Sequence, residues 1–159
     1  MKVHEAIDNR RAYRALGPVE ISDEDVDELA TAAALAASCY NKQPWRFVFV
    51  RSEEMLGRLF TALSKGNEWA TKASMIVAVF ARREDDCVIK EREYYLFDTG
   101  MAVSSMVLRA TELGLVAHPI AGYDPAATAG ILGIPAEDLV ITLVIVGRKS
   151  ADLSGLNEQ

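Results

Sequence analysis

Two runs, Met75–Phe80 and Leu139–Val146, are apolar with at most one polar interruption, and each has the length of a strand buried on both faces. Phe47–Val50 is a third strand candidate, rich in β-formers. Elsewhere the spacing turns helical. Residues 2–10 put Val3 and Ile7 four apart on one face of a short helix. Ser22 reads as an N-cap for a helix from Asp23 to Ala37, with three acids in its first turn and an apolar stripe at Val26, Leu29, Ala33 and Ala36. Ser52 caps another, with Met55, Leu56, Leu59, Phe60 and Leu63 on one side, and Gly66-Asn67 breaks it.

Residues 82–93 are crowded with charge and read as a loop or the exposed first turns of the next helix. That helix, Tyr94–Leu113, is the longest. It is apolar on two sides, as expected of an element that is central or shared with a partner subunit. Gly114–Tyr123 reads as a short strand entering a rigid loop. Asp124-Pro125 then opens a short helix that stops at Gly130 or Gly133. No repeat or linker divides the chain, so residues 1–159 are expected to form one α+β layered domain.

Composition narrows the function. Half the 159 residues are apolar and a quarter charged, enough for an ordered core. A net charge of -6 argues against a broad nucleic-acid surface but not against a local cationic pocket. The only two cysteines, Cys39 and Cys87, lack metal-ligand spacing, and His4 and His118 lie far apart in sequence. Neither a zinc site nor a disulfide framework is expected. Cys39 reads as a packing residue, and a reducing, cytoplasmic setting follows. The first residues carry no apolar signal core, and no apolar run is long enough to span a bilayer.

The chemistry is defined partly by what is missing: no glycine-rich phosphate loop, no His-Glu-x-x-His and no serine elbow. Two polar groups stand out. Arg10, Arg11 and Arg14 crowd five positions of an acidic chain; such a run is commonly a solvated face, yet a compact set of arginines can also present several donors to one phosphate. Asn41 and Gln43 precede Pro44-Trp45 between a helix and a strand. They form either a plain connection or a recognition loop. Together with the Pro119–Tyr123 loop and Arg148-Lys149, these pieces suit a planar, phosphorylated cofactor that carries the difficult chemistry itself. The residues alone do not choose a flavin.

Four blocks resemble the FMN-dependent nitroreductase family over nearly the whole chain. They are Arg10-Arg11-Ala12-Tyr13-Arg14; Ala36 to Phe47, ending Asn41-Lys42-Gln43-Pro44-Trp45-Arg46-Phe47; Asp98-Thr99-Gly100-Met101-Ala102; and Glu112-Leu113-Gly114-Leu115 followed by Pro119-Ile120-Ala121-Gly122-Tyr123. The resemblance implies a single domain with a central, mainly antiparallel sheet flanked by helices, and a homodimer with FMN at its interface. It further implies that Arg10, Arg11, Ala12 and Arg14 lie at the phosphate and ribityl end, with Arg148 and Lys149 sharing that contact. Asn41 would approach the flavin from the partner subunit, with Ser38 and Cys39 nearby and Gln43 shaping the loop. The backbone at Ile120, Ala121 and Gly122 would lie near flavin N5, and Asn67 would correspond to an amide on the ring.

The chain departs from the family pattern in places. Ala12 lacks a hydroxyl common at the phosphate end, Ala37 replaces a proline, and Ala121 replaces a glutamate without removing the backbone N–H. Arg148-Lys149 follows Gly147 in place of Tyr-Pro, and the tail is short. The expected activity is hydride transfer from NAD(P)H through FMN to a nitroaromatic, quinone or similar acceptor, with no obligatory side-chain acid or base. The alternatives are a non-catalytic flavin-binding or sensor protein, and a substrate-specific flavin dehydrogenase or dehalogenase on the same scaffold.

Overall fold

In the computed structural model, which describes residues 1–153 and 156, side-chain alternation along β3 (Met75–Ala81) divides the interior in two. Met75, Val77 and Val79 point into one core, while Ile76 and Ala78 point into the other. The strand is apolar throughout because both faces are covered. β2 (Trp45–Val50) pairs with one edge of β3 and β7 (Leu139–Lys149) with the other. Along its far edge β7 takes β6 (Val116–Ile120) and then β1 (Leu16–Gly17). All these pairings are antiparallel.

Helices α2 (Asp23–Ala34) and α4 (Tyr95–Glu112) cover the first face through Leu29, Ala33, Ala102, Met106 and Ala110. The small residues in both helices let them pack closely; α1 (Val3–Asn9) lies against α4. On the second face Leu56 and Leu59 of α3 (Glu53–Phe60) join Trp69, Ile134, Leu143 and Ile145, with α5 (Pro125–Leu132) beside β7. The result is a central antiparallel sheet between two helical layers, as the sequence suggested.

The caps explain the helix limits. Ser22 accepts the Asp25 N–H while Asp25 returns a bond to the Ser22 N–H, forming a capping box. Asp124 accepts from the Ala126 and Ala127 N–H groups ahead of Pro125, and Gly133 ends α5 in the left-handed conformation. Three readings change. α2 stops at Ala34, three residues early, because residues 35–38 turn toward the Cys39 loop. Leu16–Gly17 pairs as a two-residue edge strand, an element the sequence pattern did not predict. The charged stretch 82–93 holds a small hairpin, β4 (Val88–Ile89) with β5 (Arg92–Glu93), turned by Lys90 at positive φ. No helix among the described residues is long and apolar enough to cross a membrane.

Candidate functional site

The chain leaves α1 at Arg10, whose backbone turns extended, so the arginine run lies on a strand-like segment rather than on a helical face. The three arginines then part company. Arg11 folds back, its Nη1 donating to the carbonyls of Asp8 and Arg10, both at 2.7 Å, and closes the end of α1. Arg10 and Arg14 pair with no carboxylate among the described residues. Their charges reach His118, whose Nδ1 sits 3.2 Å from the Tyr13 carbonyl oxygen. That oxygen can only accept, so Nδ1 carries the proton. Burial chiefly, and then Arg14 and Arg10, hold His118 below its ordinary value against the opposing Tyr13 bond.

The same neighbourhood gathers further cations. Lys149 Nζ lies 4.4 Å over the Tyr13 ring and 3.4 Å from its hydroxyl. Arg14, Lys72, Trp69 and Glu68 line a cleft of about 230 Å³. Ala12 and Arg148 are exposed beside this group, with Arg148 paired through its backbone to Gly17. Trp69 and His118 went unrecognised as site residues in the sequence. Their rings stack with centroids 4.7 Å apart, a contact between positions 49 residues apart that no local pattern announces.

Trp69 links the cationic end to the Ile120-Ala121-Gly122 loop. Its Nε1 donates to Asn67 Oδ1 at 3.2 Å, and Asn67 Nδ2 donates to the Gly122 carbonyl at 2.9 Å. The Ser64 N–H reaches the same carbonyl at 3.0 Å. A Cβ on Gly122 would lie 2.0 Å from Asn67 Nδ2, so only glycine permits this bracing. Asn67 therefore positions the loop through both its amide atoms. Ala121 is exposed, and Tyr123 donates its hydroxyl to the Val140 carbonyl at 3.1 Å.

The Ser38–Gln43 loop is held by different means. Ser38 Oγ accepts the Gln43 N–H at 3.0 Å, and Gln43 Nε2 donates to the Ala34 carbonyl at 3.1 Å, so Gln43 shapes the loop. Tyr40, Asn41 and Gln43 all adopt positive φ, uncommon for residues with side chains. Asn41 is exposed, and its side chain makes no hydrogen bond among the described residues. Asp98, 1% exposed at the start of α4, accepts the Cys39 N–H at 2.6 Å. Cys39 is bonded to Cys87, which overturns its reading as a packing residue and the expectation of no disulfide. The two cysteines are the only ones in the chain, and the hairpin at residues 88–93 brings Cys87 back against the loop. Their spacing of 48 was a signal only a fold could interpret.

Strand register separates these groups. Trp45, just after the Asn41 loop, pairs with Ala81, which pairs with Leu139 at the start of β7. Leu16 beside the arginine run pairs with Lys149 at its end. Ten residues of strand, roughly 33 Å, separate the two. One protomer thus brings Arg10, Arg14, Lys149, His118 and Trp69 together at the Lys149 end, and Trp69 and Asn67 lead from them to Gly122, which lies past Ile120, the partner of Leu143. It holds Ser38, Cys39, Asn41 and Gln43 at the end of the sheet away from Lys149.

The family model for the nitroreductase family matches residues 7–148. A protein of Archaeoglobus fulgidus, provisionally named an NADH dehydrogenase/NAD(P)H nitroreductase, is 32% identical over 144 residues, covering 87% of this chain and 80% of its own. Among solved structures, a nitroreductase family protein of Clostridium novyi superposes with a TM-score of 0.88 at 24% identity, over 95% of this chain and 87% of that one. An oxidoreductase described as containing FMN superposes with a TM-score of 0.82 at 29% identity, over 94% and 78%. Sequence match and architecture agree, and the chain belongs to the nitroreductase family.

Proposed function

We propose that the protein is an FMN-dependent oxidoreductase that takes reducing equivalents from NAD(P)H and delivers them to a nitroaromatic, quinone or similar acceptor, working as a homodimer. The observation that carries this reading is the split of the polar residues. Two arginines without carboxylate partners among the described residues and an exposed amide loop sit at opposite ends of one sheet, where one protomer cannot close both around a mononucleotide. A second copy supplies the missing wall. Exposed Val3 and Ile7 on α1, Phe97 on α4 and Tyr40 beside Asn41 offer apolar surface for that association.

The residues present fit the cofactor. Arg10 and Arg14 pair with no carboxylate among the described residues, which leaves donors for a phosphate, and Lys149 stands beside them, compensating for the hydroxyl absent at Ala12. The Ala121-Gly122 backbone, braced by Asn67, is a rigid edge suited to a ring nitrogen. Asn41 of one subunit would face the ring bound by the other. Bound FMN supplies the hydride chemistry in both half-reactions. The protein binds, orients and excludes water. Burial pushes the Tyr123 hydroxyl up to about 12, so it stays protonated and serves the loop rather than moving a proton.

The test is to incubate the purified protein with excess FMN, desalt it, and record its visible spectrum. NADH and NADPH are then added without oxygen, followed by a quinone. Retained flavin, bleached by a nicotinamide and restored by the quinone, is expected. Absence of retained flavin overturns the reading. Flavin retained but reduced by neither nicotinamide would mark a flavin-binding protein without this activity.

A further inference from the structure

The pair Cys39–Cys87 lies in surroundings that a purely structural cross-link does not require. Asp86 is 6% exposed; its Oδ1 accepts the Cys87 N–H at 2.7 Å, while its Oδ2 is buried with no hydrogen-bond partner among the described residues. A carboxyl oxygen of Asp86 and both sulfurs lie within 4.8 Å of one another. A buried, unpartnered carboxyl oxygen destabilises a fold unless it is protonated or has a task. Burial foremost raises the Asp86 carboxyl above its ordinary range. The facing Asp98 raises it further, against the Cys87 N–H and Lys42. The sulfurs are also unequal, for Cys39 is partly exposed on its loop whereas Cys87 is buried.

We propose that Cys39–Cys87 is a redox-active disulfide, a second two-electron site that exchanges with dithiols, with Asp86 as the proton donor to the Cys87 sulfur. A thiolate of the incoming dithiol attacks Cys39 Sγ. The Cys39–Cys87 bond breaks, and Cys87 leaves as a thiolate that takes the Asp86 proton. The second sulfur of the dithiol, giving up its own proton to Cys39, closes on its mate and releases Cys39 as a thiol. The protein pair gains two electrons and two protons, the dithiol becomes a disulfide, and Asp86 recovers its proton from the one released when the first thiol ionised. Reduction also frees the Cys39 loop from the hairpin, leaving the Asp98 bond as its remaining tie to α4. The inference does not depend on flavin binding.

The experiment uses the intact, air-oxidised protein. Dithiothreitol is added under native conditions, samples are quenched with iodoacetamide at intervals, and the alkylated residues are mapped by mass spectrometry. No alkylation at the start, followed by labelling of both cysteines without loss of the folded near-ultraviolet signal, is expected. Oxidised glutathione should mark Cys39 in Cys87→Ser and leave Cys87 unmarked in Cys39→Ser. Asp86→Asn, which keeps an acceptor for the Cys87 N–H, should slow reduction by about ten-fold or more. Free thiols in the air-oxidised protein, zinc held by the pair, or reduction only after guanidinium unfolding would overturn the proposal. An unchanged rate in Asp86→Asn would overturn the role of the carboxyl, and glutathione on Cys87 alone would reverse which sulfur is attacked.

Discussion

Trp69 stacks on His118 with their planes 28° apart, and the imidazole under it is the one that Arg10 and Arg14 bear upon. Its depressed value sets a direction for pH. The unfolded chain takes up this proton near pH 6.5, and the folded chain takes it up only lower. The stability contributed by the neutral ring is complete above pH 6.5 and is lost as pH falls through the folded value. Proton NMR should find the His118 midpoint below 6.5 in the free protein, and inorganic phosphate or FMN should raise it by offsetting the arginine charges.

The arginines divide by what they already hold. Arg10→Ala or Arg14→Ala should weaken FMN binding by roughly ten- to a hundred-fold, the effect of removing a bond to a charged group. Thermal stability should change little. Arg11→Ala should show the reverse, with little effect on FMN and a lower melting temperature from loss of the two carbonyl bonds at the end of α1. Flavin fluorescence titration and calorimetry on the three variants check both halves.

Gly122→Ala should displace Asn67, because the new methyl would lie 2.0 Å from its nitrogen. The cost is about 1–3 kcal/mol for a polar contact broken in a part-buried place. Asn67→Ala removes the same contact by another route. The double variant should therefore be less destabilised than the sum of the two, and denaturant melts of the four proteins measure the coupling.

Phe97 is 63% exposed near the start of α4, an unusual position for a phenylalanine on a helix that is otherwise central. Phe97→Asp should shift the protein from dimer to monomer in sedimentation velocity, and flavin should be lost with the dimer. A monomer that still retained FMN would refute the two-subunit site.

The elements came readily from the sequence because each carries its own instruction. Unbroken apolar runs mark β3 and β7, a serine and an acid mark the start of α2, and Asp124-Pro125 opens α5. The paired edge of Leu16–Gly17 was hidden, since two residues have no period and their partner lies at Lys149. At the site, Arg10 and Arg14 stood out by clustering. That Arg11 would turn away, or that Asn67 would brace Gly122, depends on distances no spacing encodes. Cys39 and Cys87 illustrate the same limit, because an unremarkable spacing became a bond once a charged stretch folded into a hairpin.

The ten-residue separation along β7 has a consequence for mixtures of variants. Each proposed site borrows Arg14 from one subunit and Asn41 from the other. Arg14→Ala and Asn41→Ala, each weakening every site when alone, would thus damage different walls. When the two chains are unfolded together and reassembled, a hybrid pair carries both lesions in one site and neither in the other. Random pairing then restores about a quarter of the sites. Two defective genes would complement one another within a single oligomer, whereas two lesions at the same end of the sheet would not.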